Sequence, residues 1–106
     1  MALSEFRYNK RRKHYAYIFG KKGQLYKNIL LTSKPKRKKK KKNGNYKVYK
    51  NVALYKHPNP NKNTKQYVID AVVKDTKNSF SKTKLNWQFH KYDKRKIKRI
   101  KKGKWE

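Results

Sequence analysis

Three imidazoles, His14, His57 and His90, and three aspartates, Asp70, Asp75 and Asp93, are the side chains of this sequence suited to acid-base or metal chemistry. Two histidines can share the proton transfers of phosphodiester cleavage while lysines stabilise the charge building on phosphorus. The aspartates offer ligands for a magnesium ion in a metal-dependent cleavage. Neither set has the spacing of a known catalytic motif, so no catalytic residue is assigned. His57 beside a Pro-Asn turn, His90, and Asp70 in an expected strand are the candidates such a reaction would use. A lone loop histidine is more often a surface residue, and Asp70 among so many lysines reads most simply as an ion-pair partner. Catalysis is left open as the lesser expectation; as an enzyme the protein would be a ribonuclease or deoxyribonuclease. Without cysteine, disulfides, zinc fingers, iron-sulfur sites and thiol redox chemistry are excluded, and no cofactor or metal is expected.

Binding chemistry is written far more densely. The 106 residues hold 34 Lys or Arg against 5 Asp or Glu, a formal net charge of +29. Small domains usually carry a net charge of magnitude about 2 to 8, so a polyanion is the partner that relieves this repulsion. Nucleic acid is the leading expectation, with Lys and Arg on the phosphates and Tyr stacked on bases. The backbone candidates are Arg7, Arg11 and Arg12, then Lys34, Lys36, Arg37, Lys38, Lys39, Lys40, Lys41 and Lys42, and near the C-terminus Lys94, Arg95, Lys98, Arg99, Lys101 and Lys102. Tyr46 and Tyr49, interleaved with lysines, are the stacking candidates, while about half of the tyrosines are expected in the core.

Only 6 of the cations are arginine, the residue suited to bidentate reading of guanine, so binding is expected to be largely independent of base sequence and weakened by salt. RNA and DNA fit equally, as do ribonucleoprotein and nucleoprotein assemblies. A rival use for the same cations is an acidic protein surface, bound as an adaptor or inhibitor. No apolar stretch approaches the roughly 20 residues that cross a bilayer, and the N-terminus is a poor signal-peptide core, so no membrane partner and a cytoplasmic or nucleoid-associated location are expected. Gly20-Lys21-Lys22-Gly23 has the spacing of a Gly-x-x-Gly backbone clamp, but it lies in an expected hairpin.

The elements that must position these residues read as mainly β, with α+β the alternative. Residues 1–13 are expected as a basic N-terminal arm and residues 14–106 as one small domain. Tyr15, Tyr17 and Phe19 alternate onto one strand face, a Gly-containing turn follows, and 24–32 returns as the second strand of a hairpin. Residues 34–42 hold eight cations and no carboxylate, so 33–45 is expected as a basic loop tethered at both ends. A long strand over 46–55, a Pro-Asn connection, and a strand over 65–74 come next, then irregular chain over 75–85. Ile97 and Ile100, three apart, suggest a short basic helix over 92–102 ended by Gly103, with Trp105 folding back on it. The whole is expected to form a small twisted antiparallel sheet or partly closed barrel with a short C-terminal basic helix.

Overall fold

The computed structural model describes residues 3–103. Its first three strands, β1 (Glu5–Asn9), β2 (His14–Lys22) and β3 (Leu25–Thr32), form an antiparallel meander. Residues 5–9, expected in a basic arm, are therefore built into the sheet. Phe6 pairs with Tyr17 and is 2% exposed, so a strand that buries one aromatic ring beside the polar Glu5 and Asn9 lies inside the expected arm. Gly23 turns β2 into β3 at φ +60, a conformation that costs little only without a Cβ. Gly20 lies within β2, next to a register shift between Ile18 and Gly20.

The expected loop over 33–45 contains a strand. β4 (Lys36–Lys40) pairs with β5 (Tyr46–Lys50) in a separate two-stranded ribbon turned at Gly44, φ +85. The expected strand over 46–55 is interrupted at Asn51, whose N–H donates to the Pro35 carbonyl and whose side-chain amide donates to the Lys34 carbonyl, closing the ribbon's base. Beyond it β6 (Val52–Ala53) joins the main sheet through β7 (Tyr67–Val68). The expected strand over 65–74 is likewise divided, because Ile69 to Ala71 bends between β7 and β8 (Val73–Thr76), both of which pair with β3. A single 3-10 turn, Lys77–Ser79, and the helix α1 (Lys91–Lys101) complete the described chain.

The main sheet is antiparallel and open, running β1-β2-β3-β7-β6 with β8 beside β3, so it does not close into a barrel. Period-2 alternation sends Tyr17, Ile29 and Leu31 to one face, under Phe89 and the helix residues Ile97 and Ile100. It sends Ala16, Ile18, Tyr26 and Leu30 to the other, under Ile69, Ala71, Val73 and Phe80. Each fully buried aliphatic side chain contributes about 1.5 to 3 kcal/mol, which makes two thin layers sufficient for a chain this short of leucine. Among the described residues no helix is long and apolar enough to cross a membrane. Trp105, expected to anchor the helix, lies outside the described residues.

Candidate nucleic-acid interface

The three leading arginines are tied into the fold, although Arg11 keeps most of its side chain exposed. Arg7 Nη1 donates to the carbonyls of Ser81 and Lys82 at 3.0 and 2.6 Å, and its Nε lies 3.3 Å from the buried Glu5 carboxylate. Arg12 Nε sits 2.9 Å from Asp75 Oδ2 and Arg11 Nη1 sits 3.0 Å from Asp75 Oδ1. Asp75 is fully buried, and Asn9 and Asn28 donate to it as well at 3.0 and 3.2 Å. Burial alone would raise the Asp75 carboxyl, but the hydrogen bonds from Arg12, Asn28 and Asn9 and the Arg12 charge outweigh it and hold the group below the usual carboxylate range. This cluster pins the β1–β2 connection to β3 and β8.

The aspartates expected as possible magnesium ligands are not gathered. Asp75 is held by arginines, Asp70 is exposed after β7, and Asp93 is buried in α1. Asp93 accepts from the backbone N–H groups of Tyr55 and Lys56 at 2.7 and 3.2 Å, with Lys96 Nζ 3.5 Å away, which ties the chain after β6 to the helix. Among the described residues no group of three or more His, Asp or Glu is placed to hold a metal ion.

The histidines divide. His90 is the N-cap of α1, its Nδ1 accepting from Tyr92 N–H at 3.2 Å. His57 is buried and its Nδ1 accepts from Asn59 N–H at 3.0 Å, so its Nε2 carries the proton in the neutral ring. Burial first, and the Lys62 charge second, lower its pKa against a smaller opposing effect of the hydrogen bond the ring donates to Gln66. With Nδ1 taken by the Asn59 N–H, the neutral ring has no free lone pair with which to accept a proton. His57 and His14 do line one cleft, whereas His90 and Asp70 do not join them.

That cleft, of about 930 Å³, opens where the face carrying Phe6, Tyr17 and Phe89 runs out of core. Cross-strand partners Tyr8 and Tyr15 meet edge to face at 5.1 Å, Tyr15 meets Trp87 at 4.9 Å, and Trp87 meets His57 at 5.7 Å. Tyr15 keeps 42% of its surface exposed. Around these rings stand Lys13, Lys34, Lys36, Arg37, Lys38 and Lys62, and no carboxylate lines the cleft. Predicted cations of the first half of the tract thus line an aromatic wall, while Lys39, Lys40, Lys41 and Lys42 continue along the exposed ribbon. Tyr46 is exposed near the ribbon's turn, and Tyr49 is half-buried beneath Arg37 and Lys47, each about 5.1 Å from its ring centre.

The helix forms a separate basic face. Lys94, Arg95, Lys98, Arg99 and Lys102 are exposed, and Lys101 lies 5.5 and 5.2 Å from the ring centres of Tyr17 and Phe19. Lys94, Lys98 and Lys101 line a second cleft of about 740 Å³ that shares Trp87 with the first but includes Glu5. Tyr8 and Tyr15 each stand beside cations in the sequence, a pairing that already marks them as stacking faces, whereas nothing local singles out Trp87, which only the fold brings to them. No protein-family model, curated protein or solved structure matches this chain.

Proposed function

We propose that this chain binds nucleic acid with little regard to base sequence, taking a single-stranded segment into the Tyr8–Tyr15–Trp87–His57 cleft and following its phosphates with the β4–β5 lysines. One observation carries the reading: a ring-lined cleft with six cations and no carboxylate at its wall. Each feature recognises half of a nucleotide, since rings stack on bases and cations follow the backbone. An acidic protein surface would match the charge and leave the rings unexplained. His57, its Nδ1 taken by the Asn59 N–H, adds its ring to the aromatic wall and leaves no free lone pair for proton abstraction. The reading includes an accessory role on RNA or DNA, with a cytoplasmic or nucleoid-associated assembly as its proposed setting.

The test is fluorescence anisotropy with labelled single-stranded DNA, single-stranded RNA and duplex DNA across a salt series. Tight binding to the single strands with affinity falling steeply in salt is expected, as counterions are released from each contacted phosphate. Tyr15→Ala, which trims a partly exposed ring, should weaken single-strand binding by about 1 to 3 kcal/mol and leave the salt slope unchanged. Weak, salt-insensitive binding to all three probes would sink the reading.

A further inference from the structure

The rings outside the cleft form a second cluster. Tyr55 and Tyr92 are 65% and 55% exposed, more than any ring of the first cleft. Their centroids lie 5.0 Å apart with the planes at 90°, and His90 meets Tyr55 at 4.7 Å and Tyr92 at 4.9 Å. The cluster is held by polar bonds beneath it: His90 Nδ1 accepts from the Tyr92 backbone, and Asp93 holds the backbone of Tyr55 and Lys56. Rings fixed before a ligand arrives lose little freedom on binding it. Cations flank them, with Lys91 Nζ 5.4 Å from the Tyr92 ring centre and Lys56 exposed next to Tyr55.

The cluster also continues the first cleft along the chain. Tyr55 is two residues from His57, and His90 is three from Trp87, on segments joined where Gln88 N–H donates to the Pro58 carbonyl at 3.2 Å. Extended chain spans at most about 3.3 to 3.6 Å per residue, so Tyr55 and His57 are within about 7 Å along the backbone. Exposed aromatic patches of this kind mark interaction sites, and the +29 charge selects a polyanionic occupant.

We infer that Tyr55, His90 and Tyr92 form a second stacking platform that takes bases of the same single strand after it leaves the Trp87 cleft. The inference rests on the function proposed above and extends its footprint. Oligothymidylates and oligouridylates of about six and about twelve nucleotides, within the range one small domain covers, separate the two sites. Wild-type protein should bind the longer probe more tightly. Tyr55→Ala with Tyr92→Ala should weaken the longer probe about tenfold and the shorter by less than about twofold. Tyr55→Phe with Tyr92→Phe should restore the longer probe's affinity, because the ring face and not the hydroxyl makes the contact. Equal loss on both lengths, or no loss on either, overturns the platform while leaving the first cleft standing. Failure of wild-type protein to bind any probe overturns the first cleft, and the platform with it.

Discussion

Two regions use their cations in opposite ways. Around Asp75, the arginines Arg11 and Arg12 turn inward onto one buried carboxylate, with Asn9 and Asn28 completing its shell. In the β4–β5 ribbon the register sets Lys36 against Lys50 and Lys39 against Lys47, with no Asp or Glu in either strand. Like charges directly opposite oppose pairing, and an isolated two-stranded ribbon is marginal even when neutral. Positive charge therefore stabilises the first region and strains the second. A uniform count of basic residues conceals this difference, which assigns Arg11 and Arg12 to construction in the sheet and the ribbon lysines to an outward surface.

The largest effect expected from breaking this contrast is at the buried carboxylate. Asp75→Asn leaves two guanidinium groups facing a neutral amide and should lower stability by about 2 to 4 kcal/mol in urea denaturation. Nucleic-acid affinity should stay within about twofold wherever the variant is folded; a ribbon-sized loss of affinity would show that the two regions are not separate.

A smaller effect, of mixed sign, is expected at the ribbon. Lys36→Glu replaces a repulsive pair with an attractive one opposite Lys50 and should steady the ribbon by about 0.2 to 1 kcal/mol, read as slower amide exchange in β4 and β5. The same change puts a carboxylate into the cleft wall and should weaken single-strand binding several-fold with a shallower salt dependence. Faster exchange together with unchanged binding would contradict both halves.

The smallest effect lies in pH. His57 titrates below its ordinary 6.5 when folded, so the unfolded chain takes up its proton first as pH falls. That contribution is complete above about 6.5 and is lost as pH drops from there to the lowered folded value. Asp75 acts lower: its contribution is present above the ordinary 3.8 and is lost as pH falls through the depressed folded value. Urea midpoints measured against pH should show both windows, and His57→Gln should flatten the upper one alone. Parallel curves for the variant and wild type would remove His57 from the account.

Local signals made some of this fold legible. The β2–β3 hairpin follows from strand formers around a glycine, and the helix begins and ends one residue before its expected limits because Ile97 and Ile100 face the core. Failures occurred where distant residues decide the outcome. Lys36 to Lys40 has poor strand propensity and reads as loop, yet it pairs with Tyr46 to Lys50, whose own strand character was readable. Arg11 and Arg12 look like free basic side chains in the sequence, and only the fold brings Asp75, more than sixty positions away, within their reach. At the candidate site the cations and the Tyr15 stripe were visible, while Trp87 and the Tyr55–Tyr92 pair depended on how segments 55–58 and 87–92 meet.

Among the described strands, β4 and β5 pair only with each other, so each has one ladder edge to the outside. Such edges invite pairing with another chain, and a row of lysines is among the devices that prevent it. The charge that makes the ribbon costly to form thus also keeps separate molecules apart. If the proposed polyanion binds, it neutralises those lysines and removes that protection, so complexes near charge balance are expected to associate more readily than those with either component in excess.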